Sequence, residues 1–322
     1  MNNSAMSFLS VDQSDREIAA ARLMLGDAAV RLAEIASDSV DLTVTSPPYD
    51  DIRSYKGFVF DFEAVARELF RVTKPGGVVV WIVGDATIKG SETGTSFRQA
   101  LFFRDKCGFN LADTMIYQKT DAAFPRYGHK KYPAAFEYMF VLSKGQVGKF
   151  EIIRDRVNKA AGRVMSGSVR QEDGSVRPMH ATGKAVAPIG ARSNVWGYST
   201  GYRKSATEEF AFEHPAIFPE ALARDHILSW SEPGDLVHDP FMGSGTTGKM
   251  ALAHSRRFVG IEVAPEYFLI ANRRLAPFGD AARVEVGGVV EPSAARTHCE
   301  PSAGRDTNPA VIRHGIRTPH MG

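Results

Sequence analysis

Cysteine is nearly missing from this chain of 322 residues, which carries only Cys107 and Cys299, far apart. That scarcity excludes a disulfide framework and a cysteine-rich metal centre, and it fits a reducing compartment. No apolar run approaches the roughly 18 residues of a membrane-spanning helix, and no signal peptide is recognisable, so a soluble, cytoplasmic protein is expected. Net charge is almost absent too, +2 overall, and by itself indicates no polyanionic partner. Aromatic residues stop at Phe278. The stretch 279–322 that follows is dominated by Pro, Gly, Ala, Ser and Arg and is expected to be disordered. What remains is 43% apolar overall, enough for one large α/β core with an insertion.

The near-zero total hides a segregation of charge. Between Lys144 and Lys204 stand twelve Lys or Arg residues against four acids, a local excess of +8 that leaves −6 for the rest. This segment is rich in Gly and Ser, and its apolar residues follow neither helical nor strand periodicity. A basic, polar, loop-rich stretch suits phosphate contacts. Arg154, Arg156, Arg163 and Arg170 are its candidates, with a guanine reader or plain solvated charge as open alternatives. Upstream, Lys130, Lys131 and Tyr132 lie in a loop mixing aromatic and basic residues, either near a nucleic-acid backbone or in a solvated turn. Trp196, Tyr198 and Tyr202 are read as anchors of the segment to the core, with stacking on nucleotides as the alternative.

Two motifs carry chemistry. The apolar, β-branched run Val40–Thr45 predicts a strand that ends at Ser46-Pro47-Pro48-Tyr49. Proline lacks an amide donor and forces its predecessor extended. Carbonyl oxygens and the Ser46 hydroxyl are thus left beside an aromatic ring, at the strand end where open α/β sheets place ligands. The second motif, Asp235 through Thr247, predicts a strand, a turn at Gly243 and Gly245, and a helix. A further strand, Phe258 to Ile261, ends in Glu262 about 20 residues on, the place of a ribose carboxylate in nucleoside-binding units. Thr246, Thr247 and Gly248 follow the glycine pair, and the unit is read as one for an adenosyl ligand without a pyrophosphate.

Together these motifs resemble the amino-methylating DNA methyltransferases that use S-adenosylmethionine. The catalytic motif here precedes Phe241-Met242-Gly243-Ser244-Gly245, the circularly permuted order of the β class. Leu25 to Ala28, Arg71 to Gly77 and His214 to Glu220 are similar to further stretches of that family. The resemblance implies an α/β, Rossmann-like fold, permuted, with an inserted target-recognition region. It divides the chain into a polar arm (1–20), a catalytic half (21–143), a basic insertion (144–210), a cofactor half (211–278) and the tail.

The resemblance also implies roles. Ser46 and Pro47 accept the hydrogens of an exocyclic amine; Pro48 shapes the turn and Tyr49 stacks on a flipped base. Asp239, Phe241, Gly243 and Gly245 form the cofactor loop, Glu262 meets the ribose, Thr246 or Thr247 the methionine carboxylate, and Asp27 the adenine amine. No metal is implied. Serine in the first motif position favours cytosine N4, with adenine N6 as the neighbouring reading. Neither cysteine sits in the Pro-Cys pair that transfer to a ring carbon would use. Partners implied are double-stranded DNA, a second copy of the chain and a cognate restriction endonuclease. Two other readings stay open: an RNA or small-molecule methyltransferase, and a DNA-binding protein without turnover.

Overall fold

The computed structural model describes residues 20–48, 60–121 and 132–278 and the backbone of 282–286, all within one unit, 1–291. Tyr49, Lys130, Lys131, nearly all of the polar arm and most of the tail lie outside the described residues.

In chain order the strands are β1 (Ala21–Leu25), β2 (Val40–Thr45), β3 (Thr73–Val83), the small ribbon β4 (Thr87–Ile88) and β5 (Ser91–Glu92), β6 (Asn110–Lys119) and β7 (Phe136–Ser143). There follow the short β8 (Arg154–Val157), β9 (Ser168–Arg170), β10 (Val176–Pro178) and β11 (Ile189–Ala191), then β12 (Val195–Tyr198), β13 (Leu236–Asp239), β14 (Arg257–Glu262) and β15 (Ala282–Val286). The helices are α1 (Ala28–Arg31), α2 (Phe62–Val72), α3 (Thr95–Phe102), α4 (Glu220–Trp230), α5 (Thr246–Ala253) and α6 (Pro265–Leu275). Nine strands make one sheet in the order β12-β6-β7-β3-β2-β13-β14-β1-β15. Only β7 runs antiparallel to its neighbours. This is the mostly parallel, Rossmann-like α/β sheet that the motifs implied.

Each face of the sheet buries its own apolar cluster. On one, Leu42, Val44, Val80 and Val237 pack against α4, α5 and α6; on the other, Val79, Trp81, Val259 and Ile261 meet α1 and α2. Helix α2 shows the local logic. Asp61 caps it by accepting from the Ala64 amide at 3.1 Å, and Glu63 and Arg71 match the dipole at its two ends. Val65, Leu69 and Val72 line one stripe and are fully buried, each contributing roughly 1.5–3 kcal/mol.

After β2 the chain turns to one side of the sheet, and after β13 to the other. The topological switch therefore falls between β2 and β13, where a doubly wound sheet opens a crevice at its strand ends. The Ser46 turn and the glycine turn leave these two neighbouring strands.

The basic segment is less formless than its pattern suggested. Strand β8 pairs with β11 and β9 with β10, both antiparallel, and Val164 bridges Ala185 between them. Residues 154–191 thus make one long two-stranded ribbon, solvent-exposed along nearly its whole length. Strand β12 then joins the edge of the main sheet beside β6. Trp196 is buried against His226, ring centroids 4.6 Å apart, and the Tyr198 hydroxyl donates to Asp225 at 2.7 Å; Tyr202 stays exposed. Composition pointed to disorder from 279 onward, yet β15 pairs with β1 within that stretch.

Candidate active site

A cavity of about 720 Å³ opens at the switch point, within the range of roughly 300–1,000 Å³ usual for small-ligand sites. Its floor is made of strand ends: Ser46, Pro47 and Pro48 after β2, Pro240 to Ser244 after β13, Glu262 closing β14, and Gly26 and Asp27 after β1.

The two motifs are joined directly. Thr45 Oγ1 donates to Asp239 Oδ1 at 2.7 Å, and the same oxygen accepts the Phe241 amide at 3.0 Å. One carboxyl thereby fixes both the strand end bearing Ser46 and the first residue of the glycine turn. Burial pushes the Asp239 carboxyl up to about 7, against the hydrogen bonds from Thr45, Phe241 and Thr247 that favour its charged form. Asp239 does not line the cavity, nor does Thr247, whose hydroxyl donates to the Val44 carbonyl at 3.0 Å. The sequence reading gave Asp239 to the cofactor loop and Thr246 or Thr247 to the carboxylate; of the two threonines Thr246 borders the cavity. In the structure Asp239 and Thr247 brace β2 from behind, because a residue at a strand end or in a first helical turn can face its neighbour strand as readily as the crevice.

The glycine turn is shaped by what it must avoid. Gly243 has φ +52, and a Cβ there would come within 3.0 Å of His214 Nε2. Gly245 has φ +79 and caps α5 pressed onto α6, so a Cβ would meet Leu275 at 2.8 Å. Gly245 is packed under the turn and does not line the cavity. Glu262 ties the turn to β14: Oε2 accepts the Gly243 amide at 2.8 Å and Oε1 the Ala264 amide at 2.9 Å. Burial raises its carboxyl, and these backbone donors oppose the shift. Asp27 caps α1, accepting from Ala29 at 2.7 Å, while it also borders the cavity. Phe241 lines the wall and packs edge-on to Phe60 at 5.0 Å. His214 lies over the turn, its Nδ1 accepting the Ala216 amide at 3.1 Å, edge-on to Tyr267 at 4.3 Å.

The far wall holds residues that sequence reasoning missed. Lys119, at the end of β6, is ion-paired with Glu137 of β7 at 2.5 Å, and both border the cavity with Tyr117 and Phe136. They are adjacent only through cross-strand pairing, which no local pattern encodes. Among the described residues no group of three His, Cys, Asp or Glu could hold a metal ion, and no helix is long and apolar enough to cross a membrane.

The donors and acceptors suit S-adenosylmethionine. Two acids, Glu262 and Asp27, and two hydroxyls, those of Ser244 and Thr246, border the same cavity, a set able to accept from a diol and an amine and to donate to a carboxylate.

The DNA methylase family model, for N6 and N4 methylases, matches residues 40–273. The orphan methyltransferase M.BamHII of Bacillus amyloliquefaciens is 53% identical over 243 residues, covering 75% of this chain and 90% of that protein. The type II methyltransferase M.SmaI of Serratia marcescens is 27% identical and covers 79% of this chain and 90% of its own. In fold, the chain is similar to the PvuII cytosine-N4-specific DNA methyltransferase, with a TM-score of 0.57 at 21% identity, covering 79% of this chain and 88% of that one. It is also similar to M1.HpyAVI in its complex with S-adenosylmethionine, with a TM-score of 0.52 at 22% identity over 80% and 99% of the two chains. The chain therefore belongs to the N6/N4 family of DNA methylases, whose methyl donor is S-adenosylmethionine.

Proposed function

We propose that the protein methylates the exocyclic N4 of a cytosine turned out of double-stranded DNA. One observation carries the reading: the Thr45–Asp239 bond of 2.7 Å, which holds the Ser46 turn and the glycine turn on one cavity.

When bound, S-adenosylmethionine supplies an electrophilic methyl group on a sulfonium sulfur. Glu262 would accept from the ribose hydroxyls, Asp27 from the adenine amine, and Thr246 would donate to the methionine carboxylate. An exocyclic amine is a poor nucleophile because its lone pair is delocalised into the ring. The Ser46 hydroxyl and the Pro47 carbonyl would accept its two hydrogens, localising that lone pair and aiming it into the cavity. Pro48 has no amide hydrogen, and the fixed φ of consecutive prolines keeps the turn rigid. Tyr49, outside the described residues, would stack on the extruded base.

Two features favour cytosine over adenine. Ser46 occupies the first motif position. Lys119, paired with Glu137, puts a cationic donor on the cavity wall, and on its Watson–Crick edge cytosine offers two acceptors, N3 and O2, where adenine offers N1 on that edge and N7 on the other. The basic ribbon would lie in the major groove, which admits a two-stranded β-ribbon. Arg154, Arg156, Arg163 and Arg170 stand on it, exposed and without an ion pair among the described residues. Lys130 and Lys131 remain further DNA candidates.

The test is to incubate the protein with mixed-sequence duplex and methyl-labelled S-adenosylmethionine, digest to nucleosides and analyse by mass spectrometry. Labelled N4-methylcytosine is expected. Labelled N6-methyladenine would keep the machinery and overturn the choice of base. Ser46→Ala should lower kcat roughly 10–100-fold, the loss of about 1.4–2.7 kcal/mol of transition-state hydrogen bonding, with cofactor affinity unchanged; wild-type turnover would remove the serine from the mechanism.

A further inference from the structure

Arg274, in the last turn of α6, has no exposed side-chain surface. An arginine at a helix C-terminus ordinarily serves the dipole from the surface, and a buried guanidinium persists only where it is fully paired. Here it donates in three directions. Nε reaches Glu208 Oε2 at 3.2 Å, and Nη2 reaches Glu220 Oε1. Nη1 turns to the glycine loop, meeting Thr246 Oγ1 at 2.9 Å, Ser244 Oγ at 3.2 Å and the Ser244 carbonyl at 3.3 Å. Lys249 of α5 closes the cluster, 2.6 Å from Glu208 and 2.8 Å from Glu220. Two cations face two carboxylates, so the cluster is neutral as a whole.

The chemistry of the loop follows from that geometry. A guanidinium can only donate, so a hydroxyl that accepts from it must direct its own hydrogen elsewhere. Ser244 and Thr246 both border the cavity, and their oxygens are 3.5 Å apart, too far for a good bond between them. Left alone, either hydroxyl could present a lone pair to an incoming anion and repel it.

We propose that Arg274 is a positioning residue for the carboxylate end of the cofactor: donating from behind, it sets Ser244 and Thr246 as hydrogen-bond donors toward the cavity. The inference rests on the reading that the glycine loop seats the methionine carboxylate.

Two ligands separate the possibilities. S-adenosylhomocysteine carries that carboxylate and 5′-methylthioadenosine does not, and calorimetric titration of each gives a preference ratio. Wild type should prefer S-adenosylhomocysteine. Arg274→Lys keeps a positive charge against Glu208 and Glu220 but cannot fork to both hydroxyls. It should lose roughly tenfold in affinity for S-adenosylhomocysteine, the scale of one hydrogen bond to a charged group, with 5′-methylthioadenosine unaffected. Thr246→Val should erode the same preference, and the double variant should lose no more than the larger single effect, because both changes break one chain of bonds. Should the lysine variant not fold, the charge-balanced pair Arg274→Gln with Glu220→Gln gives the same readout. Equal weakening of both ligands, or an unchanged ratio, would overturn the positioning role while leaving the cofactor site standing. A wild type without any preference would overturn both the role and the reading beneath it.

Discussion

The glycine loop and the basic ribbon are built on opposite principles. Around the loop Asp239, Glu262 and Arg274 are buried and committed: Asp239 to Thr45, Glu262 to two amides, Arg274 to two carboxylates and two hydroxyls. Along residues 154–191 the side chains are mostly exposed, and Arg154, Arg156, Arg163 and Arg170 have no acidic partner among the described residues. The seam between the regions behaves like the first. Arg192 bonds Asp155 and Asp225, Lys144 bonds Asp38, and Lys149 bonds Glu232. A single run of positive charge is therefore two populations, cations that fasten the segment to the core and cations left for a partner. The distinction turns on packing: the fastening cations flank the ribbon at Lys144, Lys149 and Arg192, and the free ones lie along it.

The sharpest way to break the committed region is Gly245→Val. The position needs φ +79 and has Leu275 2.8 Å from where a Cβ would sit. Strain and overpacking together should remove about 2–5 kcal/mol of stability and abolish cofactor binding. Thermal unfolding and cofactor titration would show it; a variant that binds cofactor normally would mean the turn is not held as described.

Asp239→Asn probes the same region through pH. Folding raises this carboxyl from 3.8 to about 7, so the native state binds a proton more tightly than the unfolded chain. Its contribution is fully present below pH 4 and is lost as pH rises toward 7, by up to about 4 kcal/mol. Asparagine keeps the acceptor oxygen for Thr45 and removes the titration. His226 and His238, which burial lowers to about 3 and about 4, oppose the trend but are common to both proteins and cancel in the difference. The stability of wild type relative to the variant, from denaturant midpoints, should fall between pH 4 and 7. A flat difference would mean that Asp239 stays ionised.

How much of this was legible in sequence follows the same division. Strand β2 runs over the residues that its apolar, β-branched run marked, because a buried strand calls for such side chains. The Ser46 and glycine turns were legible because proline and positive-φ glycine are demanded locally. The Thr45–Asp239 bond spans 194 residues and Arg274 reaches Glu208 across 66; such pairings depend on strand order, which no local signal encodes. Arg274 itself reads only as a basic last turn. The ribbon escaped for the opposite reason: exposed on both faces, it needs no alternation. Strand β15 did leave a trace, with Ala282, Val284 and Val286 alternating with Arg283 and Glu285, outweighed by the composition around it.

Arg192→Ala tests the seam. It removes a partner of Asp225, which is almost wholly buried, while Arg224 and Tyr198 continue to bond that carboxylate. A loss of about 2–3 kcal/mol is expected, below the usual 3–5 for an uncompensated buried charge, with loosening of the ribbon detectable by hydrogen exchange before the core opens.

The smallest effect on the fold should come from the exposed set, and it is the one that decides whether the comparison has functional content. Arg163→Ala and Arg170→Ala remove no ion pair and little packing, so stability should change by less than about 0.5 kcal/mol and cofactor affinity not at all. If these side chains neutralise phosphates, each loss should reduce the slope of log affinity against log salt by about 1 and weaken all duplexes alike. If one reads a guanine instead, its removal should relax the sequence preference at a single position by about 1–3 kcal/mol and leave the other positions unchanged. Salt-dependent binding to cognate and scrambled duplexes separates these outcomes. An unchanged slope and preference for both variants would return the ribbon's free cations to solvated surface, and the difference between the two populations would then be one of packing alone.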